Sequence, residues 1–196
     1  MNNIFKSNGL INSSDRENFI GQKGVSLWLT GYSGAGKTTI AYGLEKKLYD
    51  TGRLSYVFDG DNIRHGLCKD LGFTSKDRLE NLRRTSEVIK LFCDVGIICI
   101  SAFISPLKVD RKLVKNIIGR EKYIEIYIKC SLEVCMARDI KGLYALARQG
   151  LIKNFTGISA PYEIPVDPSL IIDTESENAE KSINRIYSYL CNKNII

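Results

Sequence analysis

The chain has 196 residues, a length that one hydrophobic core serves, and an ordinary globular balance of 44% hydrophobic and 26% charged residues. No apolar run approaches the roughly 20 residues that cross a bilayer, and residues 1–24 lack the apolar block of a secretory signal, so the expectation is a cytoplasmic protein with no membrane partner, an unorthodox organelle import signal aside. The net charge of +6 is spread along the chain without a dense basic block, so nucleic acid is not an expected partner, and the surplus reads as solvated lysines or as cations facing an anionic ligand.

Residues 1–23 read as an extension to one domain spanning 24–196. Val25–Thr30 (VSLWLT) is a short apolar run closed by glycine, the pattern of a buried parallel strand. Ile40, Leu44 and Leu48 then recur at helical spacing until Asp50-Thr51-Gly52. Leu54–Phe58 is a second strand, running into Asp59-Gly60-Asp61, a sequence that on its own also suits a tight turn. Asp77–Asp94 is a long amphipathic helix with Leu79, Leu82, Val88, Leu91 and Phe92 towards the core, ended by Gly96. Ile97–Ile104 is the third strand, Pro106–Ile118 a helix, Tyr123–Ile128 the fourth strand, and Leu132–Arg138 the start of another helix. Residues 139–168 are irregular and hold three of the four prolines, so they read as a lid, since long structureless stretches in compact domains are usually functional. Leu170–Ile172 is a fifth strand, and Glu177–Leu190 a final helix with its cap expected among Asp173–Ser176. Six scattered cysteines, none in a C-x-x-C pair, and a single histidine give no zinc pattern; the cysteines read as small buried hydrophobes in a reducing compartment.

Strands alternating with helices predict an α/β fold: three layers, with a mostly parallel five-stranded sheet flanked by helices and ligands at the carboxyl ends of the strands. At the first such end, Gly31-Tyr32-Ser33-Gly34-Ala35-Gly36-Lys37-Thr38 matches G-x-x-x-x-G-K-[ST]. The loop must aim backbone N–H groups at a phosphate, and glycine recurs because side chains would block the approach. The helix that follows adds its N-terminal dipole. Lys37 is placed to reach the β- and γ-phosphates, and the Thr38 hydroxyl to ligate Mg²⁺. Gly31, Ser33, Gly34, Ala35, Gly36, Lys37, Thr38 and Thr39 are therefore the expected ATP-binding set, and the motif predicts a three-layer P-loop kinase fold. No Asn-Lys-x-Asp guanine signature occurs, and the small size favours a nucleotide- or metabolite-type kinase over a GTPase or a motor. At the second strand end, Asp59 and Asp61 supply two carboxylates beside the loop, one suited to hydrated Mg²⁺ and one to accepting a proton from an attacking hydroxyl.

From here the sequence resembles the adenylylsulfate (APS) kinases. The resemblance runs through the phosphate loop, Asp59–Leu67 (DGDNIRHGL), Asp70–Phe73 (DLGF), Asp77-Arg78 and Glu80–Arg84 (ENLRR). It continues through Phe103–Pro106 (FISP), Asp110-Arg111, Arg138-Asp139, Lys141–Tyr144 (KGLY), Asn154–Ile158 (NFTGI) and Pro161–Glu163 (PYE), covering about residues 24 to 173. It implies transfer of the γ-phosphoryl group of ATP to the 3′-hydroxyl of APS, giving 3′-phosphoadenylylsulfate (PAPS), by a homodimer requiring Mg²⁺. Residue by residue, it makes Asp61 the base for the 3′-hydroxyl proton and Asp59 a Mg²⁺-water or positioning partner. Arg64, Arg78 and Asn81 hold the phosphosulfate and ribose, Phe73 and Phe155 sandwich the APS adenine, and Ile104 and Ser105 line the acceptor site. Lys141 neutralises charge and Arg138 touches the ATP base. Some relatives have been proposed to pass the phosphoryl group through the serine matching Ser105; direct in-line transfer needs no such step and is the reading preferred. The runner-up is a related small-molecule kinase with another acceptor. Leu107, Lys108, Met136, Ala145 and Leu146 depart from the family pattern without removing a residue assigned to chemistry.

Overall fold

In the computed structural model, which describes residues 5, 7 and 9–196, the apolar runs become five strands: β1 (Ser26–Thr30), β2 (Ser55–Asp59), β3 (Ile98–Ala102), β4 (Tyr123–Lys129) and β5 (Leu170–Asp173). Around them lie α1 (Ser13–Ile20), α2 (Lys37–Asp50), α3 (Gly60–Arg64), α4 (Ser75–Val95), α5 (Lys108–Ile118), α6 (Leu132–Arg138), α7 (Leu143–Arg148) and α8 (Ala179–Asn192). Residues 1–4, 6 and 8 of the expected N-terminal extension lie outside the described residues. The sheet order is β2-β3-β1-β4-β5, and every neighbouring pair is parallel. The sheet is thus wholly rather than mostly parallel, because each connection is a helical crossover and none is a hairpin.

Alternation along the central strands sorts side chains between two helical layers. Leu27 and Leu29 of β1 join Ile98, Ile100, Ile124, Ile126 and Ile128 against Ile40, Leu44 and Leu48 of α2 and Ile186 and Leu190 of α8. Trp28 points the other way, with Phe58, Cys99 and Phe103, onto Leu82 and Ile89 of α4 and Val114 of α5. Each fully buried Leu or Ile in these layers contributes about 1.5–3 kcal/mol. Five of the six cysteines are buried and all are free thiols; Cys191 is exposed. Among the described residues no helix is long and apolar enough to cross a membrane.

Four local expectations change. α4 buries Asn81, Leu82, Thr85, Ser86, Ile89 and Cys93, while Leu79 and Leu91 are exposed. Of the five residues expected towards the core, Leu82 is buried and Val88 and Phe92 pack against the same cluster, so the expected stripe is right in part. The residues after β2 form a short helix rather than a tight turn, because Asp59 caps α3 by accepting from the Asp61 and Asn62 amides. The irregular 139–168 stretch contains α7, started by Asp139 accepting from the Tyr144 and Ala145 amides. α8 is capped by Asn178, not by Asp173–Ser176. An unexpected helix, α1, carries an Asn12/Asp15 capping box and is tied to α4 by an Arg16–Asp94 ion pair.

Candidate active site

The central position of β1 delivers the phosphate loop to the middle of the sheet's carboxyl edge. A side chain at Gly31 would put its Cβ 2.5 Å from the Ile128 carbonyl oxygen, and Gly36 caps α2 at φ 98°, so both places demand glycine. Lys37 folds back over the loop and donates to Gly31 O at 2.9 Å and Tyr32 O at 2.6 Å. It is buried, with no carboxylate within ion-pair distance among the described residues, and that desolvation lowers its pKa to about 8. Phosphate binding restores favour to the ammonium form. ATP binding at pH 8 is therefore expected to take up roughly half a proton from solution. Calorimetry in buffers of different ionisation enthalpy checks this; zero net uptake would contradict the burial of an uncompensated ammonium.

Thr38 donates its hydroxyl to Asp59 Oδ2 at 2.9 Å, joining α2 to the end of β2. Asp59 is buried, and its other oxygen accepts the Asp61 amide at 2.9 Å. This pair of hard oxygen donors fits Mg²⁺. Among the described residues no cluster of three His, Cys, Asp or Glu side chains could hold a metal ion alone, so phosphate oxygens and waters would complete its shell, as Mg²⁺ prefers. Asp61 itself stands exposed on α3 and is ion-paired with Lys141, which crosses from the 139–168 stretch. That partner raises the Lys141 pKa, against a smaller opposing effect of burial.

Beyond Asp61 the site turns cationic. The Arg64 guanidinium carbon lies 4.5 Å from the Phe73 ring centre, and that of Arg78 lies 6.0 Å from it. Arg64 donates to Gly72 O (2.8 Å), and Arg78 to Phe73 O and Asn154 O (both 3.0 Å). Among the described residues neither has a carboxylate within ion-pair distance, whereas Arg83 and Arg84 of the same helix are paired with Glu80 and, for Arg84, Asp70. Burial, and secondarily the charge of Arg64, push the Arg78 pKa down. One turn along α4, Asn81 is buried, and its side-chain amide nitrogen has no hydrogen-bond partner among the described residues. Two uncompensated guanidiniums and an unused buried donor suit a multiply charged anion.

The remaining expected residues are placed less uniformly. Phe73 is 64% exposed, but Phe155 is buried edge-on against Tyr144 at 5.0 Å, and no stacking between Phe73 and Phe155 occurs. Ile104 is half-buried and Ser105 buried at the end of β3. Arg138 donates to Thr174 O at 2.7 Å and Thr174 Oγ1 at 3.2 Å, while Thr174 Oγ1 donates to Ala35 O at 2.9 Å, bracketing the phosphate loop. Tyr144 adds a hydrogen bond from its hydroxyl to Ser33 O at 3.0 Å, and Thr39 is exposed at the start of α2. Sequence reasoning gave no role to Thr174, Tyr144, Thr30 or Tyr162. Only tertiary contact identifies them, apart from Tyr144 and Tyr162, which lie inside the KGLY and PYE strings.

Comparison with known proteins agrees with this geometry. A family model described as adenylylsulphate kinase matches residues 23–173. The adenylyl-sulfate kinase of Clostridium kluyveri is 50% identical over 188 residues, 96% of this chain and 94% of that protein. That of Clostridium acetobutylicum is 52% identical over 180 residues, 92% of this chain and 90% of its own. Among solved structures, the Mycobacterium tuberculosis APS kinase CysC in complex with AMPPNP and APS superposes with a TM-score of 0.83 at 40% identity, covering 86% of this chain and 98% of that one.

Proposed function

The chain belongs to the adenylylsulfate kinase family and phosphorylates APS with ATP; we propose that the acceptor atom is the 3′-hydroxyl, the product PAPS, and the setting sulfate activation in the cytoplasm. The observation that carries the acceptor assignment is that, among the described residues, Arg64 and Arg78 have no carboxylate within ion-pair distance and the buried Asn81 amide nitrogen has no hydrogen-bond partner. A phosphosulfate offers several anionic oxygens to such donors.

In this reading the loop amides and Lys37 hold the β- and γ-phosphates. Asp61 accepts the hydroxyl proton, after Lys141 leaves it for the transferring phosphoryl group. Thr38 and Asp59 would hold Mg²⁺, which when bound would supply charge neutralisation at the phosphates. Phe73 takes one face of the APS adenine, and Phe155 reaches the other once it leaves Tyr144. Arg138 borders the ATP base. Within residues 139–168, the part before Pro161, which carries Lys141 and Phe155, closes as a lid and excludes water as a competing acceptor. Ser105 contributes to the acceptor wall without carrying phosphate: its Oγ accepts the Trp28 indole N–H at 3.0 Å inside the core. The active form is a homodimer, which light scattering checks.

The test is ADP release with ATP, Mg²⁺ and APS against other nucleotide and metabolite acceptors. APS-dependent turnover at micromolar APS is expected. Equal or better turnover with another acceptor would overturn the assignment.

A further inference from the structure

Arg111 of α5 has no place in the ATP or acceptor sets above, yet it is one of the most buried charges described, at 4% exposure. Its guanidinium reaches three elements. It donates to Ser105 O at 2.8 Å and to Glu163 O at 2.7 Å, and its Nε lies 2.9 Å from Glu125 Oε1 of β4. The segment it grips is held twice more. Thr30 Oγ1 donates to Ile104 O at 2.7 Å, and Trp28 Nε1 to Ser105 Oγ.

Glu163 answers from the far end of the 139–168 stretch. Its amide donates to Pro106 O at 2.8 Å, and its carboxylate accepts the Lys108 amide at 2.5 Å. That contact caps α5, whose own N-cap residue, Leu107, supplies no side-chain cap. Next to it, the Tyr162 hydroxyl lies 3.0 Å from Thr30 Oγ1, and its ring centre lies 4.7 Å from that of Tyr32 in the phosphate loop. Ser105 adopts φ +36°, a conformation that a non-glycine residue keeps only when its surroundings enforce it.

We infer that Arg111 is a positioning residue for the acceptor: it locks the Ser105 carbonyl and the return segment Pro161–Glu163 into one unit, fixing the acceptor wall against the phosphate loop. The inference rests on the proposed role of Ile104 and Ser105 as that wall. Lysine cannot replace the guanidinium, because one ammonium does not span two backbone carbonyls and an ion-paired carboxylate arranged about a planar fork.

The test compares wild type with Arg111→Lys and Thr30→Val, by steady-state kinetics in both substrates and by emission of Trp28, the chain's only tryptophan. Arg111→Lys is expected to lose about ten- to a hundredfold in kcat/KM for APS, the scale of a small misplacement of reacting groups, with KM for ATP within about twofold. Trp28 emission of the ligand-free protein should shift as the Ser105 hydroxyl loosens. Thr30→Val, which cuts a second tether, should show the same acceptor-side pattern, and it carries the test if Arg111→Lys does not fold. A parallel rise in KM for both substrates, or a lowered Tm with unchanged kinetics and emission, would overturn the inference. Absence of APS turnover by wild type is a different result and overturns the proposed function; unchanged emission in ligand-free Arg111→Lys would still overturn the clamp.

Discussion

Asp61→Asn is expected to lower kcat by about 10²-fold or more while ATP affinity stays within about twofold, as loss of a general base requires. The substitution is nearly isosteric, and the backbone there is set independently of the side chain, because the Asp61 amide is held by Asp59 Oδ1. What disappears is the proposed capacity to take the acceptor proton, together with the charge that attracts Lys141. Steady-state kinetics with APS, alongside calorimetric ATP binding, separate the two effects. A loss confined to KM for ATP would assign Asp61 to donor binding, and unchanged turnover would remove it from the chemistry.

Lys37→Met should abolish most activity and yet stabilise the ligand-free protein. Removing a preorganised donor at a transferring phosphoryl group costs about 10²–10³ in kcat. The stability gain follows from burial. A pKa lowered from 10.5 to about 8 means that folding disfavours the ammonium form by about 3 kcal/mol near neutral pH, at 1.36 kcal/mol per unit. Losing the two hydrogen bonds to Gly31 O and Tyr32 O offsets part of that, at about 1 kcal/mol each. The remaining 1 kcal/mol or so should raise Tm by roughly 2–4 °C for a domain of this size. The sign with pH is fixed. Because the folded-state pKa is depressed, the cost is fully present below about pH 8 and fades as pH rises from there towards 10.5. The Tm advantage of Lys37→Met should shrink over that window; a lower Tm at pH 7, or an advantage independent of pH, would contradict the account.

The geometry of the phosphate loop was legible in the sequence because it is a local solution: strand, glycine turn and helix are consecutive, and each residue's place depends on its neighbours. Strand existence was legible for the same reason, since runs such as VSLWLT and YIEIYI are buried on both faces. The proposed acceptor half is spread over α3, α4, the β3–α5 loop and residues 139–168, so it was reached through resemblance to a family, not through spacing. Neither route showed that Phe155 rests on Tyr144, that Asp61 and Lys141 pair, or that Arg111 joins three elements. These contacts link residues far apart in the chain, and nothing in their immediate sequence marks them. α4 was legible only in part: Leu82 faces the core as amphipathic reasoning expects, but Asn81, Thr85, Ser86 and Cys93 share that inner face with it and Ile89, while Leu79 and Leu91 lie outside it.

The strand order also bears on how the molecule is made. β1, the first of the five strands in chain order, occupies the middle of the sheet between β3 and β4, which begin only at Ile98 and Tyr123. The ATP cradle at its end therefore lacks its flanking strands until β4 has left the ribosome, and a nascent β1, which α2 can cover on one face, must wait with both edges unpaired. Such non-local pairing slows folding and exposes intermediates to aggregation. It also makes nucleotide binding an all-or-none property of the finished domain, so a truncation that removes β4 should leave no partial ATP site behind.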